Sequence, residues 1–144
     1  MLFRIITADL FKQDCHLVHC VAADIGWDAK SGTMGIAKKF VDDYFIKEMI
    51  SMYVGSVLVG TCVKTDDVFN LITKPRYFNK PTYQTLKDSL ISLRHLLIAN
   101  RIDKIAMPEI GCGLDKLEWD KVRDIIFEVF NDIQDLEIIV CKKP

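Results

Sequence analysis

The order of apolar runs predicts an α/β layered domain, a mixed sheet flanked by helices, and three observations support this. Short β-branched runs and longer runs of helical spacing follow one another as β, β, α, β, β, α, β, α, β. The 144 residues suffice for one domain with a substantial core, and no linker, repeat or low-complexity tract divides them. Half the residues are apolar and 27% charged, an ordinary balance for a globular chain. A single domain over residues 1–144 is therefore expected, with no additional one.

Each element has its own signal. "LFRIIT" and "CHLVHCVA" (15–22) read as strands because apolar and β-branched residues cluster in them. From Gly35 the spacing of Ile36, Phe40, Tyr44 and Lys47 predicts one helix. "SVLVGTCV" (56–63) and "VFNLIT" (68–73) are two further strands, parted by the polar "KTDD". Over 81–100, Leu86, Leu90, Leu93 and Leu97 form one apolar stripe, with Pro81 suited to the first turn of that helix. "KIAMP" reads as a short buried strand. Trp119, Val122, Ile126 and Val129 share a face of the next helix, and "DLEIIVC" closes as a strand.

Charge and cysteine usage narrow the function classes. A net charge of −1 and a pI near 6.3 give no global signal for nucleic acid or an anionic membrane. No apolar run approaches a membrane span, and the start meets charge too early for a secretory signal. The five cysteines are odd in number and contain no CxxC pair, which favours reduced thiols. The expectation is a cytoplasmic protein, or a nuclear one in a eukaryotic host, without a membrane partner.

Two loops carry the functional signal. "MPEIGCGLDKLEW" sets Gly111 and Gly113 around Cys112 ahead of a helix, and "KSGTMGIAKKF" sets Gly32 and Gly35 at another helix start. Paired glycines let backbone N–H groups converge on an anion, and a helix N-terminus adds unpaired donors. Two such loops, each after a strand, can cradle a pyrophosphate; ordinary turn chemistry is the other reading. Neither is a Walker A or GxGxxG motif. In layered α/β sheets ligands bind where loops leave the carboxyl ends of strands, and "PEIGCGLD" is expected there.

Together "ADLF", "HCVAAD", "MGIAKKF", "LITK", "NKPTYQTLKDSL" and "MPEIGCGLDKLEW" resemble the macro domain family across nearly the whole chain. The likeness is to the branch of terminal ADP-ribose protein glycohydrolases and O-acetyl-ADP-ribose deacetylases. That resemblance implies a three-layer α/β/α fold, with helices on both faces of the sheet, and a pocket for ADP-ribose. Asp9 and Leu10 fall at the adenine end. Ala22 ends the second strand and Asp24 follows it. The diphosphate and distal ribose fall to Gly32, Thr33, Met34, Gly35 and Ile36 and to Glu109, Ile110, Gly111, Cys112, Gly113 and Leu114. No metal and no cofactor is implied.

The branch's chemistry maps onto Lys80 of "KPTY" as nucleophile and Asp115 of "GCGLD" as its acidic partner. An amine near an anomeric carbon can displace a linked carboxylate, provided that it is neutral, for which burial is the expected device. Asp115 can take protons from the amine and later help water to release the sugar. Outside the resemblance, Lys80 reads as a solvated charge and Asp115 as an acid favourable to a helix N-terminus.

The chain also departs from the branch. Ala8 stands where the related glycohydrolases have glycine, which narrows the first turn. "ADIGWDAKSGTM" is several residues longer than its counterpart, and Asp24 occupies the region of a functional asparagine in other macro domains. Trp27 in that loop either covers the distal ribose or leaving group or packs locally.

Other signals are set aside. In "CHLVHC", strand alternation turns Cys15 and His19 away from His16 and Cys20, so four zinc ligands cannot converge. His19 and Cys20 are expected to be buried beside the pocket, and His95 to be structural. Cys112 is expected to contribute backbone rather than a reactive thiolate. "RYFNKPTY" mixes basic and aromatic residues as single-strand binders do, in one short patch.

The leading expectation is an ADP-ribosyl hydrolase acting on ester-linked adducts, with ADP-ribose and ADP-ribosylated protein as partners and a monomer as the working form. A phosphatase for ADP-ribose 1″-phosphate, a hydrolase of ADP-ribosylated nucleobases or nucleic acid, and a non-catalytic ADP-ribose reader are the rivals.

Overall fold

The computed structural model of the chain describes residues 1–53 and 57–144. Among the described residues, six strands form one sheet: β1 (Leu2–Thr7), β2 (His16–Ala22), β3 (Thr61–Thr65), β4 (Val68–Lys74), β5 (Lys104–Met107) and β6 (Glu137–Lys142). Their spatial order is β1-β6-β5-β2-β4-β3. Only β3 runs antiparallel, against β4, so the expected mixed sheet is present. The helices are α1 (Ala37–Tyr44), α2 (Ile46–Ser51), α3 (Tyr83–Ala99) and α4 (Trp119–Phe130).

Alternation along the strands fills both faces. Val18, Phe69, Leu71, Ile105, Met107, Ile138 and Val140 join the α3 stripe of Leu86, Leu90, Leu93 and Leu97 and the α4 residues Val122, Ile126 and Val129. On the opposite face, Leu17, Val21, Ile72, Ala106 and Ile139 pack with Phe40, Ile46 and Ile50 of α1 and α2. The result is the three-layer α/β/α arrangement. Each fully buried leucine or isoleucine contributes roughly 1.5–3 kcal/mol of apolar burial, so the strand pattern largely dictates the layers.

Several element boundaries differ from expectation. The helix predicted from Gly35 to Lys47 is broken at Phe45, whose φ of 56° ends α1 and starts α2. Ile46 and Ile50 follow the break and are buried, so the turn re-aims the second helix to bury them. The strand expected over 56–63 is instead β3 at Thr61–Thr65, because Gly60 at φ 87° breaks the extended run; Ser56 lies outside the described residues. Pro81 precedes α3 rather than entering it. Thr82 is the N-cap, accepting from the Thr85 N–H while the Thr85 hydroxyl accepts from the Thr82 N–H. His95 lies on the exposed face of α3, not near its apolar stripe. Among the described residues, no helix is long and apolar enough to cross a membrane.

Candidate functional site

Because β1, β2, β4, β5 and β6 are mutually parallel, their carboxyl ends share one edge of the sheet. That edge receives Asp9 and Leu10 after β1, Ala22 at the end of β2 with Asp24 after it, Lys74 at the end of β4 with the run to Lys80 after it, and Glu109 to Asp115 after β5. Residues scattered over the sequence thus meet along one rim, where ligands of layered α/β proteins bind.

The first loop is built by local bonds. A register shift at Val21/Ala22 pairs Ala22 with Lys74 and leads into a 3-10 turn over Ala23–Gly26 that buries Asp24 and Ile25. Asp28 Oδ1 accepts from the Lys30 N–H, and the Thr33 hydroxyl donates to Lys30 O. Lys47 Nζ reaches back from α2 to donate to Asp28 O and Ala29 O. Gly32 takes φ 76°, where an added Cβ would stand 2.6 Å from Ile25 Cδ1 and 2.7 Å from Val41 Cγ2. Met34 points to solvent, and Trp27 is 65% exposed with the Arg76 guanidinium 4.6 Å above its ring. The Trp27 ring thus meets a residue of the Lys80 loop while most of it stays in solvent.

The second loop separates its two glycines by role. Gly111 has φ 72°, an added Cβ would meet Leu117 Cδ1 at 2.9 Å, and its carbonyl accepts from the Leu117 N–H. Gly113 is outside the left-handed region and has nothing within 4 Å of the Cβ position. Neither conformation nor packing requires a glycine there. Leu114 touches the position a Gly35 Cβ would fill, at 3.1 Å, so the two loops meet. Among the described residues, the N–H groups of Met34, Gly35, Ile36, Gly113 and Leu114 have no protein acceptor. They are donors on offer at the meeting point of the loops.

Lys80 and Asp115 come together, but not as a direct pair. Lys80 is exposed and its Nζ donates to Leu114 O at 2.6 Å. Asp115 Oδ1 is instead held by Lys74 Nζ at 2.7 Å, with the two side chains only 14% and 15% exposed. The burial expected of Lys80 is thus found at Lys74. Sequence reading assigned Lys74 no role, although a lysine ending a strand otherwise buried throughout ("VFNLITK") was the available signal. The "KPTY" segment is clamped from both sides: the Tyr83 hydroxyl accepts from the Glu118 N–H, and the Thr85 hydroxyl donates to Thr73 O.

The remaining expected residues divide by burial. Leu10, Ala22 and Ile110 are core side chains, so only their backbone faces the rim. One oxygen of Asp9 accepts from the Phe11 N–H, and Asp24, fully buried, accepts from the Tyr77 N–H through Oδ2 while Oδ1 has no protein partner. Asp24 therefore ties the first loop to the Lys80 loop. Burial, then the Glu109 charge, pushes the Cys112 thiol up to about 11, which leaves it protonated near neutral pH, as expected. Cys20, expected to be buried, is only partly so; shielding and then the Asp115 charge hold it as a thiol, with the Gly111 N–H facing it. His19 is buried as expected, its Nε2 2.6 Å from Asn70 Oδ1. No cluster of three or more metal-ligating side chains occurs among the described residues. A surface groove of about 420 Å³ between α3 and α4, lined by Lys87, Arg94, Glu128 and Asp132 among others, lies away from this rim.

No protein-family model matches the chain. The macrodomain of Mycobacterium tuberculosis DarG superposes with a TM-score of 0.83 at 22% identity, over 99% of each chain. The bovine ADP-ribose glycohydrolase OARD1 is 36% identical over 140 residues, 94% of this chain and 88% of that protein. The chain belongs to the macro domain family. The human OARD1 is also 36% identical, over 141 residues, again with 94% of this macro domain and 88% of that protein covered. A Thermosipho africanus DarTG structure in complex with ADP-ribose shares the macro domain fold, with a TM-score of 0.78 at 16% identity, over 98% of this chain and 42% of that one.

Proposed function

We propose that this macro domain is a hydrolase that binds ADP-ribose and releases it from ester-linked adducts, on acidic side chains or as the O-acetyl ester. Relatives named as ADP-ribose glycohydrolases, at 36% identity over 94% of the chain, support the hydrolase class. The observation that carries the finer reading is Lys80 Nζ on Leu114 O, one residue from the Asp115 carboxylate and beside the unpartnered amides of both glycine loops.

In this reading the loop amides take the diphosphate and Asp9 and Leu10 the adenine end. The anomeric carbon of the distal ribose then lies above Leu114. The Lys80 amine attacks that carbon through its nitrogen lone pair, the ester oxygen leaves as a carboxylate, and a carbon–nitrogen bond joins sugar to lysine. Asp115 accepts the proton released from the resulting ammonium. Asp115 then returns that proton to the departing lysine nitrogen as water adds at the same carbon and loses its spare proton to solvent, so that ADP-ribose, free lysine and the Asp115 carboxylate are restored. No metal enters the scheme.

The test is ADP-ribose release from a glutamate-linked mono-ADP-ribosylated protein, by wild type and by Lys80→Ala. Wild type is expected to release it, and the folded variant to be slower by 10²-fold or more. A variant as fast as wild type refutes the lysine role. Tight binding of ADP-ribose with no release by wild type refutes hydrolysis and leaves a reader.

A further inference from the structure

We propose that Lys74 is a positioning residue that reserves Asp115: it holds the carboxylate in an ion pair of its own and so keeps it off the Lys80 amine. The inference rests on the hydrolase reading for its consequence, but the geometry behind it is independent of any substrate.

The arrangement has three parts. Lys74 ends β4, where the parallel ladder to β2 fixes its backbone opposite Ala22. Its Nζ meets Asp115 Oδ1 at 2.7 Å with both side chains about 85% shielded, in contrast to most other ion pairs of the described residues, which lie in solvent. Lys80 Nζ donates instead to the carbonyl of the preceding residue, Leu114. Two lysines thus reach one short stretch, and only one of them takes the charge.

That division matters chemically. A carboxylate next to an amine favours the ammonium form, which has no lone pair to attack with. A carbonyl oxygen holds an amine in place without supplying a full negative charge. If Lys74 is removed, Asp115 becomes a shielded carboxylate without a cation, which is strongly unfavourable. Lys80, whose Nζ already reaches the carbonyl of the residue before Asp115, is a cation within the same short stretch. The acid and the nucleophile then lock together.

The experiment reads the Lys80 amine directly. Wild type, Lys74→Met, Lys74→Arg, Asp115→Asn and the Lys74→Met/Asp115→Asn double variant are treated with a limiting acetylating N-hydroxysuccinimide ester at neutral pH. Acetylation of Lys80 is counted by peptide mass spectrometry against the exposed Lys143. In Lys74→Met, Lys80 labelling is expected to slow by about tenfold. Lys74→Arg, which keeps a cation for Asp115, is expected to label like wild type, and the double variant to recover.

Asp115→Asn alone is expected to leave Lys80 labelling unchanged, and this arm stands even if Lys74→Met does not fold. Equal labelling in wild type and folded Lys74→Met overturns the proposal. So does a large change in Asp115→Asn, since that would mean that Asp115 already governs Lys80. On glutamate-linked substrate, Lys74→Met is expected to lose kcat by on the order of 10²-fold with KM and ADP-ribose affinity kept, and Lys74→Arg to retain most of it. A fall in affinity and melting temperature together with kcat identifies a merely structural ion pair and overturns it. A wild-type protein that releases nothing removes the hydrolase reading, while the labelling pattern still decides the role of Lys74.

Discussion

Gly111 and Gly113 sit two residues apart and do different work. Gly111 turns the chain, with φ 72° and Leu117 against its Cα, whereas Gly113 has open space where a side chain would go. Gly111→Ala is expected to cost about 2 kcal/mol, from the left-handed backbone and the crowding together. A drop in the urea midpoint measures this. Gly113→Ala is expected to leave stability within about 0.5 kcal/mol, yet to weaken ADP-ribose binding by about tenfold, measured by titration calorimetry, because the methyl occupies the approach to the loop amides. An unchanged affinity would sink the idea that this glycine is kept for a ligand. The paired glycines were legible in the sequence; which one the fold requires was not, since that depends on what lies beside each Cα.

The same distinction appears between α1 and α2. Periodicity over Ile36, Phe40, Tyr44 and Lys47 matched a single helix, and nothing local announced the break. Phe45, 60% exposed, is a poor residue for φ 56°; the burial of Ile46 and Ile50 beyond it holds the bend. Asparagine adopts this conformation with less strain. Phe45→Asn is therefore expected to stabilise the protein by roughly 0.5–1 kcal/mol, a small rise in the urea midpoint at unchanged slope. A fall would show that the exposed ring contributes more than the backbone strain costs. Elements whose spacing and partners agree, such as the leucine stripe of α3, were read correctly from sequence and moved by only a residue or two.

Across the whole molecule, the stability of the sheet is tied to one buried imidazole. His19 stacks on Phe40 at 3.9 Å, bonds Asn70, and leaves Nδ1 without a protein partner; Asn70 donates in turn to Val63 O and Thr65 Oγ1. Burial lowers its pKa from the ordinary 6.5 to about 4. The folded value lies below the unfolded one, so the unfolded chain takes up the proton first. Stability from this residue is full above about pH 6.5 and is lost as pH falls toward 4. Between pH 7 and pH 5 the loss is roughly 2 kcal/mol. Urea unfolding at the two pH values checks it, with a distinctly smaller difference expected in His19→Gln. The same difference in both proteins would place the acid sensitivity elsewhere.

Strand runs and helical spacing by themselves determined the fold class, a mixed sheet flanked by helices, and the glycine loops marked the edge at which a ligand is expected. These follow from local periodicity and from the rule that parallel strands end on one edge. The tertiary structure decided the pairing at that edge. Residues 74, 80 and 115 are apart in sequence, and only the β2–β4 ladder and the meeting of the loops bring Lys74, rather than Lys80, onto Asp115. Ion pairing depends on distance and shielding in three dimensions, and neither is written in the spacing of charges along a chain.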